Sequence, residues 1–473
     1  MRALFLQYYE RISASYWFLP SVMAVLAAAL AFLLIEIDVN VEPDWLGVGP
    51  FLYATQPDGA RAILSAIGGS MIGVAGTVFS VTMAAVVFAS GSFGPRLLTN
   101  FMNDRGNQIT LGVFVATFVY CMLVLRSVRD GGDEDVFGAM FVPNIAIFGA
   151  IILAIFSIGV LIYFIHHVPS NIHISNVIAG IGTSLNDRIA HAFPEGPERS
   201  KEEMESVLWQ VPPCFRDGAE AERGADPLPY AEIGSDRAGY LQIVDSESLI
   251  NGARKSDVVV RLTCRPGMFV HPGRIVFQAW PAERASDDTR SDLLSSLAAG
   301  NSRSPRQDIN FLFDELVEIA GRALSPGVND PYTAITAMDW LTSAVANLAG
   351  REPPSRFLCD EDGRLRAIVM TANFAQYLEI AFGHLRQYAA SDMIAGEHYL
   401  NCLTVLIPAC RSVDQRQALR FQRDAFLGLA RQALSGAALA SVETASEKFE
   451  GTIADPGHRL PAPAVRDRER ATG

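Results

Sequence analysis

The chain has 473 residues, of which 50% are hydrophobic, and its formal net charge at pH 7 is −13. This acidic balance excludes a nucleic-acid-binding surface, which needs a basic footprint, so we expect no nucleic-acid partner. The six cysteines are scattered without a C-x-x-C pair, which favours reduced, buried thiols over a disulfide framework or a metal centre.

Four long apolar runs fill the first third of the chain, at about residues 17–35, 62–89, 109–125 and 143–165. None of them contains Asp, Glu, Lys, Arg or His. About 20 such residues in a helix match the roughly 30 Å hydrocarbon thickness of a bilayer. The first run also continues past the small residues Ala29-Leu30-Ala31, which favours a retained helix over a cleaved signal peptide. We therefore predict a transmembrane domain of four helices over residues 1–168, with the lipid bilayer as its partner.

Basic residues in the short connections indicate the orientation of these helices. Four lie on one side and three on the other: Arg2, Arg11, Arg96 and Arg105 against Arg61, Arg126 and Arg129. The side with three also carries the acidic connections. We expect a multi-pass protein of the bacterial inner (plasma) membrane with both termini in the cytoplasm.

The second run is unusually long and rich in small residues. As one helix, its 28 or so residues would extend about 42 Å, so it must tilt, kink or project beyond the lipid. Its small and hydroxyl residues are Ser65, Gly69, Gly73, Gly76, Thr77 and Ser80. Four of these repeat at four-residue spacing and share one helix face. Two interpretations stay open: close packing of helix backbones, or lining of a path for an ion or small solute.

The runs carry no ionisable residue, whereas proton-coupled carriers and voltage sensors place such residues within the bilayer. A passive pore or a structural anchor remains. Just after the fourth run, His166, His167 and His173 suggest a pH sensor or polar residues at the membrane surface. Because adjacent residues cannot share a helical face, we expect no metal site there.

The rest of the chain predicts a soluble α+β region. Apolar residues at helical spacing after Pro169 indicate an amphipathic helix, followed by a linker, over residues 169–236. Residues 237–285 are typical of a small β module, and residues 300–435 of a helical cytoplasmic domain. Residues 451–473 are typical of a disordered tail.

One motif in the helical region, residues 325–333, has the features of a rigid corner between two helices. Pro326 and Gly327 end the first helix, Asp330 caps the second and Pro331 occupies its first turn. The alternative is that a ligand or an interface contacts Arg322, Asn329 and Asp330. Arginine binds anions, and the start of a capped helix offers backbone amide donors.

Several stretches resemble a widespread bacterial group of predicted membrane proteins classed only as a domain of unknown function. They are residues 78–82, 89–98, 111–121, 239–242, 307–309 and 322–331, the last reading Arg-Ala-Leu-Ser-Pro-Gly-Val-Asn-Asp-Pro. Gly94 departs from the pattern, in which a serine precedes Pro95-Arg96. The resemblance covers roughly residues 1–435. It implies four membrane helices with a soluble C-terminal region, but it does not indicate an activity.

Signatures of hydrolases, phosphate-binding loops, zinc proteases and dinucleotide-binding folds are absent from the sequence. We therefore expect neither an enzyme nor a cofactor. Two functional hypotheses remain. In the first, the protein is a homo-oligomeric passive channel lined by the second helix, with a cytoplasmic assembly or gating domain. In the second, it is a non-conducting membrane-anchored sensor or scaffold whose cytoplasmic domain binds a ligand or partner.

Overall fold

The computed structural model describes residues 17–40, 56–93, 104–130, 140–196, 200–216 and 229–455. The chain divides into two compact units, a membrane unit that ends at Asn176 and a C-terminal unit that begins at Val177. Long apolar helices followed by small sheets and a helical bundle confirm the predicted fold class.

Among its described residues, the membrane unit has four helices that are long and apolar enough to cross a bilayer. They are α1 Phe18–Asn40, α2 Pro57–Phe93, α3 Arg105–Ser127 and α4 Asn144–Ile172. The helix α3 is the most buried of the four and packs against the other three. The unbroken α2 has 37 residues and extends about 56 Å, well beyond the hydrocarbon thickness.

Polar contacts join the helices at one end of the membrane unit. The Asp38 carboxylate, near the end of α1, accepts hydrogen bonds from the backbone N–H groups of Ile145 and Ala146 in the first turn of α4, each at 2.9 Å. Arg61 in the first turns of α2 forms an ion pair with Asp130, just after α3. The backbones of Arg129, after α3, and Phe141, before α4, also hydrogen bond to each other. The end of α1, the start of α2, the end of α3 and the start of α4 therefore lie together, as expected for four alternating crossings.

The first helix of the C-terminal unit, α5 Ile174–Ala192, is the amphipathic helix predicted after Pro169. Its apolar stripe is buried at Ile178, Ile181, Leu185 and Ile189. It packs against α10 Pro331–Ala349, where Asn347 Nδ2 donates to Asn186 Oδ1 at 3.2 Å. This helix therefore belongs to the core of the C-terminal unit. The predicted linker that follows contains α6 Lys201–Trp209, which begins with a capping box.

In the part of the chain that the structure describes, eight strands form two sheets. The strands are β1 Ala231–Gly234, β2 Gly239–Val244, β3 Val259–Leu262, β4 Phe269–Val270, β5 Ile275–Trp280, β6 Leu297–Gly300, β7 Phe357–Cys359 and β8 Leu365–Ile368. One sheet has the order β1-β5-β3-β8-β7, and the other has the order β4-β2-β6. All neighbours are antiparallel except β3 and β8.

The β7–β8 hairpin is the main departure from the predicted organisation. It lies within residues 300–435, which the sequence pattern assigned to helices, and β8 pairs with β3 of the β module. Each of its strands has only three or four residues, too few to show the alternation that indicates a strand. The β and helical regions are therefore joined through one sheet.

The remaining helices cover the sheets or pack around α10. They are α7 Ser246–Lys255, α8 Asp287–Ser295, α9 Ile309–Ala323, α11 Phe374–Leu378, α12 Arg386–Ala389, α13 Met393–Leu406, α14 Val413–Ala433 and α15 Gly436–Ala454. A π-helical segment, Glu379–Gly383, continues α11. The helix α15 begins beyond the predicted helical region, and residues 456–473 of the predicted tail lie outside the described residues.

Candidate functional site

The small-residue face of α2 does not pack against the other described residues of its own chain. All six residues singled out in the sequence are exposed: Ser65, Gly69, Gly73, Gly76, Thr77 and Ser80. The buried positions of α2 include Leu64, Gly68, Met71, Ala75 and Val78. At 100° per residue, these two sets occupy nearly opposite sides of the helix. The single chain therefore presents the small residues outward.

This outward face has open space beside its glycines, and two of its hydroxyls form hydrogen bonds within the helix. A Cβ atom added to Gly69, Gly73 or Gly76 would have no neighbouring side chain within 4 Å in the described part of the chain. The Thr77 hydroxyl donates to the Gly73 carbonyl at 3.1 Å, and the Ser80 hydroxyl donates to the Gly76 carbonyl at 2.8 Å. These two hydroxyls are therefore satisfied within the helix where the face meets lipid, and the small residues also permit the close approach of another helix.

The three histidines near the end of α4 do not form a metal-binding group among the described residues. His166 lies in the last turns of α4 and is exposed, and His173 is exposed between α4 and α5. His167 lies in α4, but its side chain is outside the described residues. Their proposed role as pH sensors stays a prediction.

The corner between α9 and α10 has the predicted cap. Asp330 accepts hydrogen bonds from the backbone N–H of Thr333 at 3.2 Å and from its hydroxyl at 2.6 Å. Asn329 is exposed in the left-handed region with φ +51°, which asparagine tolerates better than most residues. Arg322 forms an ion pair with Glu318 on its own helix at 3.2 Å. These contacts account for the corner structurally, and a ligand at these residues stays a prediction.

A group of three potential metal ligands lies elsewhere, between α10 and α13. Asp339, His398 and Cys402 each offer a ligand atom, and these atoms lie within 4.8 Å of one another. His398 Nε2 is 2.7 Å from Asp339 Oδ1. His398 and Cys402 are one helical turn apart on α13, so both face α10.

The three groups differ in burial. The Asp339 side chain is 60% exposed and that of His398 is 20% exposed, whereas Cys402 is only 3% exposed. Burial raises the pKa of the Cys402 thiol to about 12, so the thiol is neutral at pH 7. Sequence analysis missed this group because Asp339 lies 59 positions from His398, and no short motif connects them.

Comparisons with known proteins agree with a membrane protein. The chain is 29% identical over 379 residues to uncharacterized proteins of Mycobacterium tuberculosis and Mycobacterium bovis. Each alignment covers 79% of this chain and 69% of the relative. No solved structure matches the chain. A family model described as "Predicted membrane protein (DUF2254)" matches residues 13–405, more than four-fifths of the chain. The protein therefore belongs to the DUF2254 family of membrane proteins, as the resemblance of its motifs predicted.

Proposed function

We propose that the protein is a homo-oligomer in the membrane, in which the α2 helices of several copies meet and surround a passive path for an ion or small solute. The observation that carries this proposal is the outward position of the small-residue face of α2, opposite the side that packs on its own chain.

The dimensions and chemistry of this face favour such a role. From Ser65 to Ser80 it extends about 22 Å, which covers most of the hydrocarbon region. Lipid provides no hydrophobic drive for helices to associate, so membrane helices pack through small residues that bring their backbones close. In a ring of copies, glycines leave space near the axis, and hydroxyl and carbonyl oxygens can replace part of an ion's hydration shell. The C-terminal unit would assemble or gate the ring.

Substitution on the α2 face tests both assembly and conduction. We expect Gly73→Leu to dissociate the oligomer and to lower solute flux through liposomes roughly tenfold or more. The reason is that a leucine side chain forces adjacent backbones apart, and overpacking costs about 1–3 kcal/mol. Thr77→Val removes a hydroxyl with little change of shape, so it should lower flux while the oligomer persists.

Gly159→Leu is the matched control, because Gly159 is an exposed glycine of α4 with no neighbouring side chain within 4 Å among the described residues. Native mass spectrometry would measure the number of chains in the oligomer. The flux would be measured through liposomes with a panel of inorganic ions. A monomeric wild-type protein, or equal effects of Gly73→Leu and Gly159→Leu, would contradict the proposed role of α2.

The orientation is tested separately. We expect both termini to face the cytoplasm of a bacterial inner membrane, because basic residues are more frequent on that side. A green fluorescent protein fused after Gly473 should therefore fluoresce, and alkaline phosphatase fused after Asp44 should be active. The reverse pattern would place the C-terminal unit outside.

The alternative function is a non-conducting sensor or scaffold. The observation that favours it is the group formed by Asp339, His398 and Cys402, which offers a ligand site in the C-terminal unit. A stable oligomer that conducts none of the ions tested would favour this alternative over the channel.

A further inference from the structure

We propose that Asp339, His398 and Cys402 bind one divalent transition-metal ion of the zinc class, which links α10 to α13. This inference is independent of the proposed channel, because it concerns only the C-terminal unit.

The donor set selects the class of metal. A carboxylate oxygen, an imidazole nitrogen and a thiolate sulfur are the three ligand types that bind Zn²⁺ in proteins. Thiolate and imidazole ligands disfavour Mg²⁺ and Ca²⁺, which prefer all-oxygen sites. Because three protein ligands leave one tetrahedral position open, a water molecule or an external ligand would complete the coordination.

The geometry is close to that of a bound site. Zn²⁺ held at about 2.0–2.2 Å from nitrogen and oxygen would place those two atoms about 3.4 Å apart in a tetrahedral arrangement. The observed distance from His398 Nε2 to Asp339 Oδ1 is 2.7 Å, so the pair must open by several tenths of an ångström. The exposed Asp339 side chain can rotate to allow this, whereas Cys402 is fixed below it in the core.

The surroundings of Cys402 also suit a ligand. Burial has the largest effect on the pKa of this thiol and raises it, whereas the Thr342 hydroxyl, one turn after Asp339 on α10, lowers it. That hydroxyl donates to the Met338 carbonyl at 2.7 Å, which fixes its position beside the thiol. Metal binding would convert the thiol to a thiolate, form the metal–sulfur bond and release one proton to the solvent.

The experiment uses full-length protein in detergent, purified without a histidine tag and treated with a chelator. Titration with Zn²⁺ should give one site per chain and raise the melting temperature of the C-terminal unit. Titration with Co²⁺ should produce the near-ultraviolet sulfur-to-cobalt charge-transfer band that reports thiolate coordination. In Cys402→Ala this band should vanish, and in His398→Ala the affinity for Zn²⁺ should fall by more than about tenfold.

Three variants serve as controls. Cys410→Ala removes another buried thiol, His271→Ala removes an exposed imidazole of the same unit, and the double variant His166→Ala/His173→Ala tests the membrane boundary. All three should bind Zn²⁺ and Co²⁺ like the wild type. The wild-type spectrum and stoichiometry keep the test decisive even where a ligand variant folds poorly. Absence of stoichiometric binding by the wild type, or a cobalt band that survives in Cys402→Ala, would overturn the proposal.

Discussion

Replacing Arg303 by methionine should destabilise the C-terminal unit by about 3–5 kcal/mol, because the change leaves a buried carboxylate without its counter-charge. Arg303 Nε donates to Asp308 Oδ2 at 2.8 Å, and Arg303 Nη1 donates to Asp314 Oδ2 at 2.5 Å. The Asp308 side chain is only 3% exposed. A Cβ atom added to Gly267 would lie 2.0 Å from Asp308 Oδ2, so this carboxylate is closely enclosed by the turn before β4.

Thermal unfolding in detergent is the measurement, and a fall of about 10 °C is expected for a unit of this size. Arg322→Met is the matched control, because the Arg322–Glu318 pair is more exposed than the Arg303 cluster and joins two residues one turn apart on the same helix, so it contributes about 0–1 kcal/mol. Adding Asp308→Asn to Arg303→Met should restore part of the loss by removing the buried charge. If Arg303→Met and Arg322→Met shift the melting temperature equally, the Arg303 cluster is not a buried ion pair in solution.

Replacing Gly182 by valine should loosen α5 from the C-terminal unit. A Cβ atom at Gly182 would lie 2.3 Å from Cε3 of Trp340 on α10, so the indole ring or the backbone of α5 must shift. Overpacking of this kind costs about 1–3 kcal/mol, and more where the backbone must shift. The separation of α5 from α10 should also expose Arg188 to trypsin.

Gly180→Val provides the control on the same helix. Gly180 is exposed, and a Cβ atom there would have no neighbouring side chain within 4 Å in the described ranges. Both substitutions change helix propensity equally, so the difference between them measures the contact with Trp340. Combining Gly182→Val with Trp340→Ala should recover stability relative to Gly182→Val alone. Equal melting temperatures and equal cleavage at Arg188 in the Gly182 and Gly180 variants would contradict this packing.

The membrane helices could be predicted from sequence because a bilayer imposes one requirement on every residue of a span, namely the absence of exposed charge. The first and last residues of each helix were harder to predict from the sequence. The helix α2 begins at Pro57 and ends at Phe93, whereas its apolar run covers only residues 62–89. Residues such as Asp58 and Arg61 lie in the helix but outside the apolar run, because helix hydrogen bonding does not stop where the lipid ends.

Helical spacing also predicted that Ser65, Gly69, Gly73 and Thr77 share a face, but not which way that face points. Its direction depends on which side of α2 packs against α3, and this is decided by contacts distant in sequence. The same reason explains why Asp339, His398 and Cys402 escaped detection: only the packing of α10 on α13 brings them together. In contrast, the cap at Asp330 was predicted correctly, because capping depends on residues within one turn.

The hairpin formed by β7 and β8 has a consequence for any attempt to divide the C-terminal unit. Because β3 lies between β5 and β8, a fragment that stops before Phe357 would leave Val260 and Arg261 with β5 alone and expose the edge of β3 that β8 covers. The exposed backbone groups of such an edge strand can pair with strands of other molecules, which promotes aggregation. A fragment meant to fold on its own should therefore extend beyond Ile368. If shorter fragments are insoluble, the reason would be the missing β7 and β8 strands rather than an unstable β module.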